Sequence, residues 1–168
     1  MKFVNDYGAG FLQLDTEIYN TLLDAKKGNH ELLKFFKIQY PEQFAQTHVN
    51  CIYVGRTLAQ KELNDTTFDV ESWNVQIELI ITTKEYEHLK RRQLLKSTVY
   101  AIRTILKKSS IADCIMFNNV EFEYDNTNVL NLARVTLTGR ESYLLEPYPE
   151  YKRICKVLNE IETIKLKE

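Results

Sequence analysis

His48 and Cys51 are the nearest His–Cys pair in the chain and would be the first place to look for a metal. They stand three apart, in a stretch where Val49, Ile52, Tyr53 and Val54 read as a strand. Side chains three apart on a strand leave on opposite faces, so the two cannot readily share an ion. No Cys-x-x-Cys or His-x-x-x-His spacing accompanies them. Asp65, Asp69 and Glu71 form an acidic cluster in a polar stretch, where a solvated group is the simpler reading than an acid–base pair or a metal set. No glycine-rich phosphate loop or Gly-x-Ser-x-Gly turn is present, and three scattered histidines give no triad pattern. These residues predict a protein that is not an enzyme, with no cofactor and no metal.

A second grouping is more telling. Gln76 and Glu78 alternate with apolar residues in one stretch, Glu121 and Glu123 in another, and Arg134 and Thr136 in a third. If all three are strands of one sheet, these side chains share its outer face, which is polar and mostly acidic. Such a face is either the wet side of an antiparallel sheet or a surface that meets a partner or lines an oligomeric conduit. An acidic wall repels phosphate, so DNA can slide past it without sticking.

The elements that would position these residues are organised around 71–83. Trp73, Val75, Ile77, Leu79 and Ile81 are apolar, with polar Ser72, Asn74, Gln76, Glu78 and Thr82 between them; only Ile80 breaks the alternation. Period two over this length means a strand with one buried face.

Upstream, residues 1–10 read as a mobile lead-in. A helix is expected over 15–27, with Ile18, Leu22 and Leu23 as its stripe, Asp15 or Thr16 as its cap and Gly28 as a left-handed stop. Residues 32–38 fit a short helix or a strand equally well. A strand follows over 48–55, then a long polar connection over 56–70, with a helical turn around Leu58 and Leu63.

Downstream, the longest helix is expected over 84–108. Thr82 and Glu85 have capping-box spacing, and Leu95, Val99, Ile102 and Leu106 form the stripe. Lys90, Arg91, Arg92, Lys96 and Arg103 lie mostly off that stripe and read as a solvated face. Residues 109–119 look irregular. A hairpin with a turn at 125–128 joins strands 120–124 and 131–138, ended by Gly139, and 141–149 is extended. A last amphipathic helix over 150–165 carries Tyr151, Ile154, Leu158 and Ile161.

The prediction is therefore an α+β fold. A mainly antiparallel sheet of about four strands carries one long and one shorter helix on one face, with the C-terminal amphipathic helix added. Residues 1–140 make the core domain, and 141–168 are an extension and helix of that same domain.

Composition fits one domain. The chain has 168 residues, 44% hydrophobic and 27% charged, with 22 Lys and Arg against 23 Asp and Glu. A basic excess, the usual mark of non-specific nucleic-acid binding, is missing. No stretch is long and apolar enough to span a membrane, and residues 1–6 lack the apolar core of a signal peptide. Cys51, Cys114 and Cys155 are far apart, which predicts reduced thiols and folding inside a cell.

Several runs within about residues 15–140 share a pattern: Tyr40-Pro41-Glu42 ahead of strand 49–54, then 64–68, then 73–82, and finally Ala133-Arg134-Val135-Thr136-Leu137-Thr138. In these runs, and in its order of elements, the chain resembles the tail-terminator (tail-completion) proteins of long-tailed phages. The stretch after Glu141 exceeds the smaller members, and the family brings no catalytic residue.

The resemblance implies a virion component, encoded by a phage or prophage and assembled in the host cytoplasm. It forms a ring, a hexamer in that family, on the head-proximal end of the tail tube. The ring stops tube growth and offers the surface for head joining. Its partners are then itself, the tail-tube protein, a neck or connector protein and passing DNA that is not specifically bound, with no membrane.

A closed ring needs a head-to-tail interface. That interface is expected on Arg56, Asp65, Phe68, Asp69, Tyr143, Leu144 and Leu145, with Gln76, Glu78, Glu121, Glu123 and Arg134 facing the lumen or a partner. Two other readings stand beside it: a head–tail connector or stopper, and a cellular α+β binding module for RNA or a small ligand.

Overall fold

The fold is described from a computed structural model, in which residues 13–40, 49–62, 70–124 and 131–144 are described. By proximity the chain divides into two units. One comprises Gln13–Gln60 and Asn74–Arg140 and carries both described α-helices and the body of the sheet. The other comprises Met1–Leu12, Lys61–Trp73 and Glu141–Glu168. Within this second unit the amide of Glu62 donates to the carbonyl of Ser72 at 2.8 Å, which continues a strand ladder.

The architecture is α+β. Its elements are α1 (Leu14–Lys27), β1 (Lys37–Gln39), β2 (Cys51–Lys61), β3 (Val70–Thr82), α2 (His88–Lys107), β4 (Ile115–Tyr124) and β5 (Asn131–Leu144), with short 3-10 turns at Leu33–Phe35 and Ala112–Cys114. The five strands are ordered β1-β2-β3-β5-β4. β1 runs parallel to β2, and β4 antiparallel to β5. Thr82 reaches Val49 while Glu62 reaches Ser72, so β2 and β3 are antiparallel. The expected sheet of about four strands is corrected to five. The added strand, β1, has three residues, too few to show a period. The expected C-terminal helix lies outside the described residues.

The alternation that marks β3 is realised in the packing. Val75, Ile77, Leu79 and Ile81 are at most 2% exposed, as are Ala133, Val135 and Leu137 on β5 and Ile52 and Val54 on β2. Leu14, Ile18 and Leu22 of α1 and Leu95, Ile102 and Leu106 of α2 supply the helical half of the core. Burying each such side chain contributes about 1.5–3 kcal/mol.

Local chemistry moves several expected boundaries. Gly28 is not left-handed; its φ is −70°. The left-handed residue is Asn29, at φ 62°. The amides of Asn29 and His30 donate to the carbonyls of Lys26 and Ala25, a Schellman closure with asparagine in the position glycine usually takes. At the start of α1 the cap residue is Gln13, without a side-chain capping bond.

The capping box expected at Thr82 and Glu85 is not formed. The Thr82 hydroxyl donates to the Val49 carbonyl, and the Glu85 carboxylate accepts from the Glu87 amide. α2 therefore begins later, at His88. Residues 56–61 are strand rather than loop, and no helical turn forms at Leu58. β5 continues through Gly139 to Leu144.

Candidate functional site

The outer face of the sheet depends on one irregularity in β4. Ile115 pairs with Gly139 and Phe117 with Leu137, which puts the odd-numbered residues on the helix side. The register shifts between Phe117 and Asn119, a β-bulge. Beyond it Asn119 pairs with Thr136 and Glu121 with Arg134, so the odd-numbered residues now face outward. A one-residue slip moves every following side chain to the other face. Without the bulge, Glu121 and Glu123 would point at the helices.

Three of the expected face residues form a network. The Arg134 guanidinium donates to Glu78 at 2.7 Å and to Glu123 at 2.9 Å, bridging β3, β5 and β4. The hydrogen bond to Glu78 is the largest influence raising the Arg134 pKa, with Glu123 adding to it and burial opposing. Glu121 stands opposite Arg134 in the register, yet its carboxylate accepts from the Asn119 amide nitrogen at 2.7 Å. Thr136 and Gln76 are half-buried on the same surface. The backbone carbonyl of Gln76 accepts from the Thr57 hydroxyl. This surface can hold charge and hydrogen bonds against a partner. It has no nucleophile paired with a base.

Of the expected interface residues, Arg56 alone has a described side chain. Arg56 turns inward and pairs with Asp15 of α1 at 2.6 Å, both half-buried. Asp65, Phe68, Asp69 and Leu145 lie outside the described residues, and Tyr143 and Leu144 fall on the backbone of β5. His48 also lies outside them. Among the described residues no three His, Cys, Asp or Glu side chains come together as a metal site. No helix among them is long and apolar enough to cross a membrane.

Two features were not legible in the pattern. Arg91, expected on a solvated face, is 7% exposed. Its side chain donates to the carbonyls of Glu85 and Tyr86 and holds the connection ahead of α2. Asn50 braces the same connection, accepting from the Thr83 hydroxyl and the Lys84 amide at 2.9 Å each. The connection so fixed presents Tyr86 at 73% exposure, and the first turn of α2 presents Leu89 at 63%.

The second feature is a groove of about 460 Å³ lined by Leu58, Gln76, Ile115, Met116, Gly139 and Arg140 among others. Sequence reading missed it because it is formed by four segments that are separate in the chain.

Cys51 is enclosed. Its thiol donates to the Gln39 side chain at 3.3 Å, and burial pushes its pKa up. Burial and the bond with Cys51 push Tyr53 up to about 12. Neither group is poised to react near neutral pH.

The chain matches no protein-family model, and no curated protein is significantly similar to it.

Proposed function

We propose that the protein is a structural ring subunit of a phage or prophage tail. It caps the head-proximal end of the tail tube, halts tube growth and presents the surface for head joining. The observation that carries this reading is the Glu78–Arg134–Glu123 network on the outer sheet face. It braces three strands into a stiff, acidic surface suited to contact or to a conduit wall. The tail-terminator resemblance over about residues 15–140 supplies the assembly. Mechanism is then mechanical: subunits join head-to-tail, one ring face takes the tube and the other the neck.

A second reading is favoured by the groove between Leu58 and Met116, whose mixed lining suits a small ligand. In that case the chain is a binding module, and ligand screening should find a compound that fills the groove.

The deciding experiment is the solution mass of the full chain by light scattering, alone and with a tail-tube protein where one is encoded nearby. A ring, formed alone or on the tube, that stops tube polymerisation supports the terminator reading. A concentration-independent monomer that leaves the tube growing overturns it.

A further inference from the structure

Charge on this chain is balanced in number but segregated in space. α2 carries six cations (Lys90, Arg91, Arg92, Lys96, Arg103 and Lys107) and no carboxylate. Cations crowding the start of a helix oppose its dipole, so they are not there to stabilise the helix. Arg91 is accounted for by the loop it holds, and Lys90 pairs with Glu87.

Lys96, Arg103 and Lys107 form no ion pair with any described residue and lie in one exposed stripe with Leu89 and Tyr100, the Arg103 guanidinium standing over the Phe117 ring at 5.8 Å. The spacing of these five positions keeps them on one helix face. Leu89 is 63% and Tyr100 73% exposed. A merely solvated face gains nothing from either, whereas tyrosine and arginine together are typical of interface anchors.

The opposite charge lies on the outer sheet face. Glu78 and Glu123 share the guanidinium of Arg134 there, and Glu121 stands opposite it in the register, so three negative charges surround one positive at that end of the face, with Arg140 at the other end beside Met116. Met116, 67% exposed, lies on the same face, opposite Thr138 in the register.

We propose that α2 of one copy docks on the outer sheet face of a second copy, with Lys96 and Arg103 against Glu121 and Glu123. The two surfaces differ, so the contact is head-to-tail and repeats; its closure into a ring rests on the function proposed above. It assigns the acidic face to the neighbouring subunit. A nucleic acid or an anionic bilayer would satisfy the cations but would leave the acidic face without a partner.

The test is charge reversal in the full chain, with self-association read by light scattering. K96E/R103E and E121K/E123K should each weaken association about tenfold or more, since like charges then face each other. The chain carrying all four reversals should associate within about threefold of the parent, the signature of a direct charge contact. As a check independent of fold stability, mixed K96C and E121C chains should cross-link between copies, with the joined peptides identified by mass.

Unchanged association in both reversed variants overturns the docking and leaves the tail-terminator reading standing. So does K96E/R103E losing only binding to heparin or to phosphatidylserine vesicles. A chain that is monomeric with and without tube protein overturns the docking too. A charge-sensitive ring that neither binds nor stops the tube keeps the docking and overturns the terminator reading.

Discussion

Arg134 on β5 and Glu78 on β3 meet at 2.7 Å across 56 residues of sequence, and Arg134 also holds Glu123. The Glu78 carboxylate is 18% exposed, so it is partly shielded from water and depends on this partner. Replacing Arg134 by Leu should cost about 1 kcal/mol, at the upper end for surface pairs. Replacing Glu78 by Gln should cost less, because no charge is then left unpaired. A double-mutant cycle in urea should return a favourable coupling between the two; zero coupling would mean the pair is ornamental to stability.

Gly139 is set by close approach. A Cβ there would lie 2.3 Å from the Leu14 Cδ1 and 2.7 Å from the Cys114 carbonyl oxygen. Gly139→Ala should therefore destabilise by about 1–3 kcal/mol, as overpacking does. Thermal melting checks this, and an unchanged midpoint would show that the α1 start can shift at no cost.

Glu17 is buried at 2% exposure, and its pKa is raised first by desolvation and further by Asp24. A raised carboxyl pKa means that the folded chain holds the proton more tightly than the unfolded one. Stability is then lost as pH rises from the ordinary value of 4.5 through the folded value. Glu17→Gln should be more stable than the parent at neutral pH, with the difference vanishing below about pH 4. Melting curves across that range check the sign; a variant less stable at pH 7 would contradict it.

Cys51 and Cys114 should differ in reactivity. Cys51 is fully buried with its thiol pKa pushed up, whereas Cys114 is half-buried. Alkylation at pH 8 with peptide mapping should label Cys51 about tenfold or more slowly than Cys114, and at comparable rates once unfolded. Equal native rates would mean that the β1–β2 edge opens readily.

The legible parts of the fold are those where burial writes a period. β3 shows its alternation because one face is packed and the other is not. Cys51 to Val54 read as strand because all four are buried, but Arg56–Lys61 did not: most of these side chains are exposed and leave no apolar trace. Gly139 looked like a stop because glycine often is one, while here it serves packing. The acidic face was legible because Glu121 and Glu123 keep their phase beyond the bulge. The bulge itself, the network through Arg134 and the groove were not, since each joins residues that only the fold brings together.

The strand order has a consequence for how the molecule comes into being. β5 lies between β3 and β4, yet it is the last of the five to be synthesised. Until residues 131–144 have emerged, β3 and β4 have no common neighbour, and half the helix-facing core lacks its floor. The nascent chain can make β1, β2, β3 and both helices in order, but the sheet closes only when its final strand is inserted into a waiting slot. Such a step of high sequence separation is slow. A chain cut short before residue 131 is left with two unfilled edges rather than a smaller version of the same fold.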